Sequence, residues 1–108
     1  MKRFHPETAN RPFWKVGNSY ETLNDLVQNP DIKIDFPDGP DETLKEVVLH
    51  RLNSQPDDIE HQFGFGHRIC RYGHKDLIRQ VEQETDDGRY FMRAELMTLR
   101  MQYNELRE

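Results

Sequence analysis

The sequence predicts a small single α+β domain, with two or three short strands packed by about four helices and closed by a long C-terminal helix. Three observations carry this expectation. Apolar residues at helical spacing recur in four separated segments. Short alternating runs between them are bounded by Gly, Pro, Asn and Asp. The last segment keeps its helical period longest, over residues 89–107.

Residues 1–12 lack periodicity and hold two prolines, so they read as an N-terminal arm. The single domain then covers 13–108. The run 13–16 is aromatic and β-branched, a short strand closed by Gly17. Asn18 or Ser19 can cap a helix over 20–28, with Leu23, Leu26 and Val27 on one face. Asn29 and Pro30 end it. Ile32, Ile34 and Phe36 alternate with Lys33 and Asp35, the period of a half-buried strand. The turn residues Pro37, Asp38, Gly39 and Pro40 follow. The helix 41–52 has acids at its start and Leu44, Val48 and Leu52 as its stripe, with Val47 beside it.

Residues 53–58 form a loop. Beyond it, Ile59, His61, Phe63, Phe65, His67 and Ile69 share one parity, which predicts a strand or hairpin limb with Phe63 and Phe65 inward. Gly64 and Gly66 disfavour a helix there and point to a bulge or a close backbone approach. Gly73 precedes a helix over 75–84 with Leu77, Ile78 and Val81 inward. Asp86, Asp87 and Gly88 turn the chain into the helix 89–107. Its residues Met92, Leu96, Leu99, Tyr103 and Leu106 step by four and three, a seam of just over two heptads. The expectation is that this helix covers the sheet, with Leu96 and Leu99 as core and Met97 and Met101 at a binding edge. Self-association through 89–107 is the other use of such a seam.

Composition narrows the function classes. The chain has 108 residues, 34% hydrophobic and 32% charged, with a formal net charge of −5. That balance is unlike a general nucleic-acid binder, so nucleic-acid binding is expected to be weak or absent. Charge is nonetheless split. Residues 29–60 carry nine acids and three bases, a formal −6, whereas 61–81 carry four bases and one acid, a formal +3. No apolar run is long enough for a membrane span, and no secretory leader follows Lys2 and Arg3. The lone cysteine, Cys70, suits a reducing compartment, and the expected location is the cytoplasm.

Chemistry concentrates in 59–79. His61, His67, Cys70 and His74 supply zinc-type donors, and in a helix the last three would line one face. The glycines favour a strand, which would separate His67 from Cys70. Arg68, Arg71, Lys75 and Arg79 form a basic patch suited to phosphate, with Phe63, Phe65 and Tyr72 as possible stacking partners. Arg and His neighbours would lower the pKa of the Cys70 thiol, yet no oriented base or oxyanion site accompanies it. Phe63, Gly66, Arg68 and Cys70 resemble the cysteine-ligand loop of the cytochromes P450, which implies a thiolate-bound haem. The pattern breaks at Tyr72, with Gly73 one place late, and a chain this short cannot enclose the macrocycle. No cofactor is expected, and the protein is read as no enzyme.

The reading that remains is a small acidic protein that binds another protein as an inhibitor, adaptor or assembly subunit. The candidate contact residues are Arg68, Arg71, Lys75, Arg79, Met97 and Met101. Binding of nucleic acid or phosphate through 61–81, and of zinc through His61, His67, Cys70 and His74, are the alternatives. A compact accessory protein of this kind fits a phage or mobile element.

Overall fold

A computed structural model describes residues 4–107, so the first three residues of the expected N-terminal arm and Glu108 lie outside the described residues. The chain is an α+β domain built from five helices and two separate antiparallel hairpins. The segment read as an arm contains a helical turn, α1 (Pro6–Ala9). Proline at its first position loses no needed amide there, and the His5 ring accepts from the Glu7 amide at 3.3 Å. Ala9 is buried.

Strand β1 (Trp14–Val16) pairs with β2 (Ser19–Glu21), joined by the two-residue turn Gly17–Asn18. Ser19 is therefore a strand residue and not a helix cap. The helix begins later, as α2 (Leu23–Gln28), because Thr22 offers a complete capping box. Its hydroxyl accepts from the Asp25 amide at 3.1 Å, and Asp25 accepts from the Thr22 amide at 2.8 Å.

The expected strand at 32–36 is not a strand. Its alternation survives, with Ile32, Ile34 and Phe36 half-buried and Lys33 and Asp35 exposed, but no strand among the described residues pairs with it. Side chains of the last helix, α5 (Asp86–Arg107), bond its backbone instead. Tyr103 Oη accepts from the Ile34 amide at 3.3 Å, and Arg107 donates to the Ile32 carbonyl at 2.6 Å. Arg100 donates to the Pro37 carbonyl. Phe36 then inserts its ring between Trp14 and Tyr103, 5.0 and 5.5 Å away.

Helix α3 (Glu42–Asn53) starts one residue after its cap, Asp41, whose carboxylate accepts from the Leu44 amide at 2.8 Å. Strands β3 (Glu60–Phe65) and β4 (Arg68–Gly73) form the second hairpin around Gly66–His67, and α4 (His74–Glu82) follows directly. Gly64 is obligatory in β3: its φ is +136°, and an added Cβ would lie 1.9 Å from the Arg68 carbonyl oxygen.

The corner between α4 and α5 closes as a Schellman motif. The Glu84 amide donates to the Val81 carbonyl at 3.1 Å, and the Thr85 amide to that of Gln80 at 3.2 Å. Glu84 takes the left-handed position usually given to glycine, at φ +50°. Its carboxylate meets Lys45 at 3.2 Å and Arg89 at 3.3 Å, so one strained residue ties three helices. Thr85 caps α5 by accepting from the Gly88 amide at 3.1 Å. Asp86 to Gly88 are thus the first turn of α5 and not a connecting turn. Gly88 sits where α4 and α5 cross, and a Cβ there would be 2.1 Å from the Gln80 carbonyl oxygen.

The core lies among helices. Met92, Leu96, Leu99 and Leu106 of α5 pack with Leu44, Val47, Val48 and Leu52 of α3 and with Leu77 and Val81 of α4. The long helix covers α3 and α4, meets the β3–β4 hairpin, and does not lie over a continuous sheet. Leu96 and Leu99 are core residues, at 3% and 0% exposure.

Leu99→Ala should destabilise the protein by about 2–5 kcal/mol, and Leu99→Asp should leave it unfolded. Gly88→Ala should lower the melting temperature although alanine favours helix, because the α4 backbone must move away. Thermal unfolding followed by circular dichroism tests all three.

Candidate functional site

The reactive residues meet where the β3–β4 hairpin lies against the first turns of α5. A two-residue loop fixes which face each residue takes. Phe65 pairs with Arg68, Phe63 with Cys70 and His61 with Tyr72, so odd positions of β3 share a face with even positions of β4. The single parity expected across 59–69 therefore fails at the turn. Ile69 faces outward, 50% exposed, while Cys70 faces α5.

Asp87 is the centre of the inward set. One carboxylate oxygen accepts from Arg68 at 3.0 Å and lies 3.5 Å from the Cys70 sulfur; the other accepts from the Tyr72 hydroxyl. Three donors and a place in the first turn of a helix favour the anion. The Tyr72 hydrogen bond is the leading cause that holds the Asp87 carboxyl below its usual range. The same bond, then burial, pushes Tyr72 up to about 12. Burial, then the Asp87 charge, raises the Cys70 thiol, outweighing Arg68. The lowering expected from its sequence neighbours is thus reversed. Cys70 is held as a thiol, the wrong form for a nucleophile.

Tyr90 seals the hairpin tip. Its hydroxyl accepts from the Phe65 amide at 2.8 Å and donates to the Arg68 carbonyl at 3.2 Å. The Arg68 guanidinium lies 4.1 Å from the centre of the Tyr90 ring. Phe63 packs inward on Phe91 at 5.0 Å. Phe65, expected inward with it, is 58% exposed at the hairpin tip, with its ring edge-on to Tyr90 at 6.3 Å.

The four zinc candidates do not converge. His61 Nε2 and His74 Nδ1 are 2.9 Å apart, whereas Cys70 lies beside Asp87 and His67 occupies the turn. Among the described residues no three His, Cys, Asp or Glu side chains are arranged to hold a metal ion. His74 is 2% exposed, and its Nε2 has no hydrogen-bond partner among the described residues. Burial, then His74, lowers the pKa of His61.

The basic candidates are also dispersed. Arg68 is engaged by Asp87, and Arg71 donates to Gln62 at 3.1 Å on the outer face. Lys75 and Arg79 are exposed on α4, where Arg79 pairs with Asp76 at 3.3 Å. Met97 and Met101 are exposed, at 51% and 60%. They continue a line begun by Tyr90 and Ala94, at steps of four, three and four along α5. The Met97 and Met101 end of this second seam is open, whereas Tyr90 lies under the hairpin tip and Ala94 borders a cleft. The seam is written in the sequence but overshadowed by the stronger inner one.

A charged cleft of about 240 Å³ opens on the other side of the hairpin, between α3, α5 and Arg11. Arg51, 5% exposed, donates from Nε to Glu95 at 3.2 Å and from Nη1 to the Pro12 carbonyl at 2.5 Å. Arg11, Arg51 and Glu95 are so far apart in sequence that no local pattern signals their meeting.

Two titrations follow. Phenolate absorbance from Tyr72, isolated by comparison with Tyr72→Phe, should appear only near pH 12 and should appear earlier in Asp87→Asn. His61 is depressed in the folded state, so below its ordinary value of 6.5 the unfolded chain binds protons that the folded chain refuses. Stability should be full well above that value and fall as the pH drops through and below it, and His61→Phe should flatten the decline. Melting curves across that range check it. Set against protein-family models, curated proteins and solved structures, the chain matches none of them.

Proposed function

We propose that the protein is a non-catalytic interaction module that docks a partner protein along the outward seam of α5. The observation that carries the reading is the exposure of Met97 and Met101 in line with Tyr90 and Ala94, extended at one end by Phe65. The eleven steps of helix from Tyr90 to Met101 span about 16 Å, the length of a short helix-to-helix contact. Steps of four and three match the ridges of a partner helix, and methionine adapts its shape to what it meets. The inner seam is committed to the core, so self-association through 89–107 would use this outer line as well. Inhibitor, adaptor and assembly subunit are the roles such a surface serves.

Two further features support a binding role over catalysis or phosphate recognition. Asp87 engages Tyr72, Arg68 and Cys70 in the structure itself, and Arg68, Arg71 and Arg79 each have a partner in their own fold. No helix among the described residues is long and apolar enough to cross a membrane. A lone cysteine suits a reducing compartment, and the cytoplasm is the location that goes with this reading.

Met97→Asp and Met101→Asp should leave the melting temperature within about 0.5 kcal/mol of wild type in stability terms, because both side chains face solvent. Both should abolish a complex recovered by affinity capture from the native cell, or a dimer seen by sedimentation. Retention of the same partners by both variants would overturn the reading. Loss of a nuclease-sensitive partner only with Arg71→Ala and Lys75→Ala would establish nucleic acid in its place.

A further inference from the structure

We propose that the cleft framed by Arg11, Arg51 and Glu95 is a binding site for a small oxyanion, a carboxylate or a phosphate group. The cleft is large enough for such a group, and the ring of Phe63 forms part of its wall. Two guanidiniums face one carboxylate there, a formal excess of +1 from two minus one. Arg51 uses Nε on Glu95 and Nη1 on the Pro12 carbonyl. The Arg11 Nε is buried with no hydrogen-bond acceptor among the described residues. Burial, then the charge of Arg51, lowers the pKa of Arg11, and Glu95 only partly opposes this. The cation is thus under-compensated, a costly state for a half-buried guanidinium. An oxyanion suits it because the planar guanidinium fork can donate two parallel bonds to one anionic group.

His61 lines the same cleft, where His74 and Arg11 disfavour its protonation and Glu95 favours it. An anion seated beside Arg11 would add to the effect of Glu95, so His61 reports occupancy. The site uses residues other than Met97 and Met101, so it stands or falls separately from the docking surface.

The test is nuclear magnetic resonance of the arginine side chains and histidine rings in the full chain. Sodium acetate or sodium phosphate is titrated in at constant ionic strength against chloride. Saturable shifts at Arg11 and Arg51, with an upward move of the His61 titration, are expected. Saturation by acetate alone assigns a carboxylate, by phosphate alone a phosphate. Arg11→Gln should weaken binding by at least about tenfold while the protein stays folded. Glu95→Gln should tighten it, since the anion then compensates both guanidiniums. Shifts that match chloride or never saturate would mean that ordered water serves the cleft, and the proposal fails. Unchanged affinity in Arg11→Gln would sink it equally.

Discussion

The fold depends on one helix with two apolar seams. The inner seam of α5 is the longest continuous apolar surface in the chain, and burying it against α3 and α4 creates the core. Phe13, Trp14, Leu23 and Leu26 extend that core beyond the three helices. Neither hairpin reaches the other, so no sheet organises the molecule. Residues 32–37 and the β3–β4 hairpin attach themselves to α5, and the β1–β2 hairpin to α3 through Lys15–Glu46 and Tyr20–His50.

Those attachments are polar and come largely from α5 itself. Tyr103, Arg100 and Arg107 satisfy the backbone of residues 32–37, the task a neighbouring strand would otherwise perform. Asp87 and Tyr90 hold the β3–β4 hairpin, and Glu95 holds Arg51, which reaches the Pro12 carbonyl. Hydrogen bonds involving a charged group contribute about 1.5–3 kcal/mol each, more than neutral ones, so a few of them can anchor segments that bury little apolar area. The chemistry-bearing side chains of 59–79 are absorbed by the same logic. A tyrosine, an arginine and a cysteine that would attract a functional reading individually become ligands of one structural carboxylate.

What the fold leaves unused is as informative as what it uses. On the outward line of α5, Tyr90 holds the β3–β4 hairpin, and Met97 and Met101 are left exposed with the inner seam behind them. Placing two heptad-like lines on one helix lets a small chain hold its own core with one and present an adaptable surface with the other. The cleft at Arg11 and Arg51 adjoins that surface along α5, where Ala94 borders both.

The sequence by itself determined the elements whose information is local. Helix α3 falls within a residue of its expectation because Asp41 caps it and its stripe is continuous. Leu96 and Leu99 are legible as core because a helix buries residues spaced by three and four whatever it packs against. Only the tertiary structure decided which partner each extended segment would meet. Residues 32–36 alternate like a strand, yet a strand exists only if another backbone lies alongside, and here the arginines of α5 arrive first. The parity of β3 could not be carried through Gly66–His67, because an antiparallel pair joined by two residues sets odd against even. That reversal placed Cys70 beside Asp87 and His61 against His74, contacts no spacing along the chain encodes.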